Sequence, residues 1–246
     1  MTNVKILLTG CLLIVFGFHA QAQHATTTGT EILERSKQKH DPDGQWSNTE
    51  LSIHIQEPRI QNRLRYSQLA MYTKTGYFKL VRDSEPGIIE RIIDHEGNAQ
   101  VLLNGSPEIA DDIKEKYRLG ADRNTGYRSF YRLMYGLPMS LTEDVVEEIG
   151  KPKESNFAGQ EVYSLEIELK EPMISKKWEL MLDRVDYSMV ALKFDHADDS
   201  NRPNEVILFD GKYRWEGISI PRFRHWYHED SGAYQGSDVI VNNLDQ

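Results

Sequence analysis

The side chains best suited to chemistry fall in a few short clusters. His225-Trp226-Tyr227-His228-Glu229-Asp230 gathers two imidazoles and two carboxylates, the groups that bind zinc and related ions. On a strand, however, His225 and His228 point to opposite faces and cannot share one ion without a bulge. Asp41-Pro42-Asp43-Gly44 opens like a calcium loop, but Ser52 stands where the closing carboxylate is due. That segment reads instead as a turn that ends a helix, with His40 available to cap its last carbonyls. No His-Glu-x-x-His helix, Gly-x-Ser-x-Gly elbow, phosphate-binding glycine loop or paired-acid motif occurs, and Asp94-His95 is an isolated neighbour pair. The sequence thus points to a non-enzyme without metal or cofactor. Carboxylates that converge from distant positions are the remaining route to a hydrolase.

One segment stands out for aromatic and thioether side chains. Tyr127, Phe130, Tyr131 and Met134 recur at spacings of three and four, one face of a helix, and Tyr135, Leu137 and Met139 follow. Such residues repack readily around an apolar guest, and they also make an ordinary core. Both readings stand on the sequence.

The elements that must position these residues are mostly strands. A first helix is expected over residues 30–40, capped by Thr30, with Ile32, Leu33 and Ser36 on one face. Leu51, Ile53 and Ile55 then alternate with Ser52, His54 and Gln56, the period of a sheet with one buried face. Residues 63–72, 76–82, 88–94 and 99–103 continue as strands of an antiparallel meander. Helices are expected over 107–116, opened by Pro107, and 126–136. Strands resume at Tyr163, Leu165, Ile167 and Leu169, then Trp178, Leu180 and Leu182, then Val190, Leu192 and Phe194, followed by 206–209, 213–215, 218–227 and 239–241. This is a mainly β (α+β) chain: a single curved antiparallel half-barrel of about eleven strands, with helices covering its concave face. No linker or low-complexity tract interrupts residues 23–246, so one domain is expected.

The 246-residue chain carries 29 Lys and Arg against 38 Asp and Glu, a net charge of -9, and one Cys. An apolar run at residues 6–18 is too short for a spanning helix of about 20 residues. It precedes Ala20-Gln21-Ala22, so residues 1–22 are expected to be a signal peptide, and the product to be periplasmic or extracellular without stable membrane insertion. Leu8-Thr9-Gly10-Cys11 has the form of a lipobox, yet the apolar run continues past Cys11, so no lipid anchor is expected there. Cleavage removes Lys5 and leaves 28 basic against 38 acidic residues, a net charge of -10. That surface repels nucleic acid.

Four phrases carry a family resemblance: His40-Asp41-Pro42-Asp43-Gly44-Gln45-Trp46, Tyr135-Gly136-Leu137-Pro138-Met139-Ser140-Leu141, Phe157-Ala158-Gly159-Gln160-Glu161-Val162-Tyr163 and Trp215-Glu216-Gly217-Ile218-Ser219-Ile220-Pro221. With the order of elements, they resemble the LolA/LolB-like superfamily, the lipoprotein-carrier fold, and within it secreted envelope proteins of unknown function. The resemblance implies a half-barrel with a helical lid that holds a lipophilic small molecule or acyl chain, and a partner protein in the envelope. The expected lining is Tyr131, Met134, Leu137 and Met139 from the lid with Tyr66, Leu165, Ile167 and Leu180 from the sheet. The alternatives are an interaction or scaffold module with a filled core, and a hydrolase.

Overall fold

The structure is a computed structural model that describes residues 27–194 and 203–241. The expected signal peptide, with Cys11, lies outside the described residues. Helix α1 (Gly29–His40) starts at Thr28 rather than Thr30. Glu31 stands three residues beyond Thr28, which makes a reciprocal capping box, whereas Leu33 stands three beyond Thr30. Ile32, Leu33 and Ser36 form its buried face as expected.

Strands β1 (Glu50–Glu57), β2 (Arg65–Tyr72), β3 (Tyr77–Ser84), β4 (Gly87–Ile93) and β5 (Ala99–Leu103) form one antiparallel meander. Helices α2 (Asp111–Tyr117) and α3 (Asn124–Tyr135) follow. Pro107 does not open α2: the first helical turn begins four residues later, after an extended Ala110, and carries Asp111 and Asp112. The second run comprises β6 (Val146–Ile149), β7 (Lys153–Phe157), β8 (Gln160–Met173), β9 (Ser175–Asp183), β10 (Met189–Phe194), β11 (Glu205–Trp215), β12 (Ile218–His228) and β13 (Tyr234–Val241).

All thirteen strands join one antiparallel sheet in the order β5-β4-β3-β2-β1-β13-β12-β11-β10-β9-β8-β6, with β7 also on β8. The two meanders are therefore joined along β1 and β13, where Ile55 faces Ile240 across the ladder. The helical insertion has a topological cause: β5 lies at one edge and β6 at the other. The chain between them must cross from edge to edge, and α3 does so over the concave face of the open half-barrel.

The alternating apolar residues meet beneath that crossing. Leu51, Ile53, Ile55, Leu69, Leu80, Leu165, Ile167, Leu180, Leu192 and Ile240 share one core with Ile32 and Leu33 of α1 and Met134 of α3. Each such fully buried side chain contributes about 1.5–3 kcal/mol. Val190 departs from the expected face: a register shift between Met189 and Ala191 turns it to the convex side, where it packs with Val162, Met181 and Val206. β6 and β7 were not expected from the sequence, because their residues are mostly exposed and show no alternation. The stretches 206–209 and 213–215 are one strand, interrupted in pattern at Gly211, whose φ is 61°.

The lid helix is fixed at both ends. At its start, fully buried Asn124 donates to the carbonyls of Ile92 (3.0 Å) and Gln100 (2.8 Å), and Arg91 donates to the Asn124 side chain (3.1 Å) and the Arg118 carbonyl (2.8 Å). At its end, Gly136 lies against Trp46 so closely that an added Cβ would sit 2.2 Å from Cζ2. Ser140 Oγ donates to the Leu133 carbonyl at 2.7 Å. His40 does not cap α1. Its Nδ1 reaches the Ser219 carbonyl at 2.6 Å and its Nε2 accepts from the Met189 amide at 3.3 Å, so the ring joins α1 to β12 and β10.

Candidate functional site

A cavity of about 660 Å³ opens between α3 and the ends of β1, β2, β3, β12 and β13 on the concave face. Its wall is the outer half of the aromatic stripe: Tyr127, Phe130 and Tyr131 from α3, with Tyr135 and Trp226. Phe130 meets Tyr131 edge-on at 5.4 Å, and Tyr131 stacks on Tyr135 at 5.7 Å. The stripe is therefore divided. Met134 and the inner face of Tyr131 belong to the core, while Tyr127 and Phe130 are half-buried and face the cavity.

The floor is charged, and strand parity places it. Glu57 extends the buried series Leu51, Ile53, Ile55 by one step, Arg82 extends Phe78 and Leu80, and Arg65 precedes Ser67, Leu69 and Met71. Each thus points to the concave side. Glu57 is 5% exposed and sits opposite Arg65 in the ladder. It accepts from Arg65 at 2.9 Å, from Ser67 Oγ at 2.6 Å and from Arg82 at 3.2 Å, with Arg59 at 3.7 Å. Burial alone would raise its pKa, but Arg82, Arg65, the Ser67 hydroxyl and Arg59 together hold the carboxyl below its ordinary value.

Arg82 also links the floor to the lid by donating to the Tyr131 hydroxyl, and its Nε donates to Ser67 Oγ at 3.0 Å. Burial pushes the Tyr131 phenol up to about 12, against the opposing pull of Arg82. Arg59 pairs with Asp238, which also accepts from the Trp226 indole at 3.0 Å.

Two guanidinium nitrogens here are buried and meet no acceptor among the described residues: Nε of Arg65 in the floor and Nε of Arg224 behind Tyr135. Arg224 is 1% exposed. It stacks on the Tyr135 ring at 4.1 Å and donates to the carbonyls of Pro221 (3.0 Å) and Met134 (3.4 Å). It forms no salt bridge among the described residues. A buried donor left without an acceptor costs about 1–3 kcal/mol.

The expected lining residues fall in three places. Met134, Leu137, Met139, Leu165, Ile167 and Leu180 are brought together, but inside the packed core, each at most 6% exposed. Tyr131 stands on the boundary between that core and the cavity. Tyr66 is not brought to the others: it lies on the alternate face of β2 and is 48% exposed, because Ser67, Leu69 and Met71 hold the concave positions. The floor residues Glu57, Arg65, Arg82 and Asp238 were missed by sequence reasoning. The signal was present, since each is a charged residue in phase with the apolar face of its strand. His225 and His228 do not converge, and no group of three or more metal-ligating side chains gathers among the described residues.

A second cavity, of about 610 Å³, is bordered by three lysines and five glutamates, several of them paired, such as Lys153 with Glu166 and Lys177 with Glu168. Trp178 and Phe194 border it too, but both are buried in the core, and none of its charged side chains is buried.

No protein-family model matches the sequence, and no curated protein matches it significantly. Among solved structures, the chain is similar to a LolA superfamily protein from Nitrosomonas europaea, with a TM-score of 0.53 at 9% identity over 88% of this chain and 92% of that one. It is also similar to a candidate outer membrane lipoprotein-sorting protein domain from Vibrio parahaemolyticus, with a TM-score of 0.49 at 12% identity over 87% of this chain and 92% of that one. The first of these agrees with the observed architecture of one open antiparallel sheet crossed by a helical lid. The chain folds as a LolA-like half-barrel.

Proposed function

We propose that this protein is a single-domain, exported, non-catalytic envelope carrier that binds a lipophilic molecule, with an acyl chain or similar tail seated under α3. The observation that carries this reading is the cavity itself: a space of about 660 Å³ with an aromatic wall, beneath a helix that crosses a LolA-like half-barrel. Its volume lies within the usual range of about 300–1,000 Å³ for small-molecule sites. The tail enters past Tyr127 and Phe130 and meets the core at Tyr131. Met134 and Met139, unbranched thioethers, then yield so that Leu137, Leu165, Ile167 and Leu180 line its inner end. Burial of each methylene contributes about 0.8 kcal/mol, so six supply about 5 kcal/mol before ordering costs.

No helix among the described residues is long and apolar enough to cross a membrane. Export rests on the N-terminal apolar run and its Ala-Gln-Ala site. Handover of the tail to a second envelope protein follows from carriage as its necessary last step.

Uptake of a fluorescent fatty acid tests the reading. The wild-type protein is expected to take up the probe, and Met134→Asp or Met139→Asp to abolish uptake. Glu168→Gln, whose side chain pairs with Lys176 away from the cavity, is expected to change nothing. A wild-type protein that takes up no probe argues for the interaction module with a filled core.

A further inference from the structure

The floor of the cavity holds more guanidinium than carboxylate. Arg59, Arg65 and Arg82 line it, and Arg224 stands directly behind Tyr135, whereas the acids at the same depth are Glu57 and Asp238. The rim adds Arg123, Asp122 and Glu205, so the lining as a whole is balanced, four arginines against four acids, in a chain whose net charge is -9, and the surplus of guanidinium is confined to the floor. The hydrogen bonding shows the same imbalance. Glu57 and Asp238 are fully engaged by Arg59, Arg65, Arg82, Ser67 and Trp226, yet the Nε–H groups of Arg65 and Arg224 remain without an acceptor among the described residues.

A guanidinium presents its donors in a fixed fork that fits carboxylate and phosphate oxygens, and such charge-assisted bonds are about twice as strong as neutral ones. An aromatic wall above an arginine floor is therefore complementary to a molecule with a tail at one end and an anion at the other. We infer that the ligand is an anionic amphiphile, a single-tailed carboxylate or phosphate whose head is held at Arg65 and Arg82 with the tail against Tyr127, Phe130 and Tyr131. This rests on the carrier reading and narrows it to one chemical class. Arg65 is the residue to test, because it is partly exposed and Glu57 keeps Arg82 and Arg59 as partners when it is removed.

The test is displacement of a neutral fluorescent dye, Nile red, by compounds sharing one tail: laurate, dodecyl phosphate, dodecanol and dodecyltrimethylammonium, with inorganic phosphate alone as a further arm. The anionic pair is expected to compete at concentrations about tenfold or more below dodecanol, and the cationic compound to compete least. Arg65→Gln should bring the anions to within about threefold of dodecanol without altering dodecanol itself, and Arg65→Lys should restore part of the difference. Added salt should weaken the anions alone. Equal competition by anions and dodecanol overturns the anionic class while leaving the carrier reading intact. If inorganic phosphate competes as well as dodecyl phosphate, the site takes a free anion and the amphiphile is overturned. If the dye binds and no tailed compound displaces it, or no dye binds at all, the carrier reading falls and this inference falls with it.

Discussion

Asp238 stands directly opposite Arg224 across the β12–β13 ladder, yet its carboxylate pairs with Arg59 and accepts from the Trp226 indole instead. Arg224 is left in the core with carbonyls and the Tyr135 ring as its partners. Burial accordingly pulls its pKa below the ordinary arginine value, with Tyr135 and Asp238 opposing. A buried ion without a carboxylate is a poor source of stability, since an apolar isostere avoids its desolvation. Arg224→Met is therefore expected to leave folding stability unchanged or to raise it by up to about 2 kcal/mol in urea unfolding. Asp238→Asn, which deprives Arg59 of its nearest carboxylate, should lower it by about 2–3 kcal/mol. The reverse order would show that Arg224 is a net source of stability.

Glu57 is shared by Arg59, Arg65 and Arg82, so removing its charge leaves the three arginines facing one another. Glu57→Gln should destabilise the protein by about 3 kcal/mol, read as a shift of the denaturation midpoint. The same group fixes an acid limb. Its folded pKa lies below the unfolded value, so its contribution is complete above the unfolded value of about 4.5 and is lost as pH falls through the lower folded one. Wild-type stability should drop in that window and the Glu57→Gln variant should be flatter there.

His40 sets a second, higher window. Burial outweighs the Ser219 carbonyl and Asp186 and holds the imidazole below its ordinary 6.5. The neutral ring gives a proton to Ser219 and accepts one bond from Met189, and protonation removes that acceptor. Because the unfolded chain binds the proton more readily, stability is complete above about pH 6.5 and declines as pH falls through the folded value. A melting temperature recorded between about pH 7 and pH 5 should fall in the wild type and less so in His40→Gln. A melting temperature that rises on acidification over that range would contradict the bridging role.

Asn124 fixes the start of the lid through two carbonyls and Arg91. Asn124→Ala leaves those groups without partners in a fully buried site, a loss of about 2 kcal/mol. Amide hydrogen exchange should then accelerate across α3 more than across β1 or β8. Uniform acceleration would mean that the lid is not a separate unit.

Much of the fold could be read from period-two alternation, because a strand with one buried face records its orientation in its own residues. Leu51, Ile53 and Ile55, or Leu165, Ile167 and Leu169, needed no other information. β6 and β7 carried no such record, as they lie at the edge with both faces largely wet. The site was less legible for a physical reason. An apolar lining and an apolar core have the same pattern, so the alternation does not distinguish cavity from packing for Met134, Leu137 and Leu180, which lie in the packed core. Glu57, Arg65 and Arg82 distinguish them, since a charge in phase with a buried face must meet a partner or a ligand. Their mutual pairing appears only when β1, β2 and β3 are brought side by side.

Native mass spectrometry of the protein purified from its own envelope tests the carrier account most directly. The account predicts that part of the population retains a discrete adduct of lipid mass, released on denaturation, and that Met134→Asp protein lacks it. A wild-type protein that emerges at its bare polypeptide mass, and stays there after exposure to envelope lipids, would contradict it.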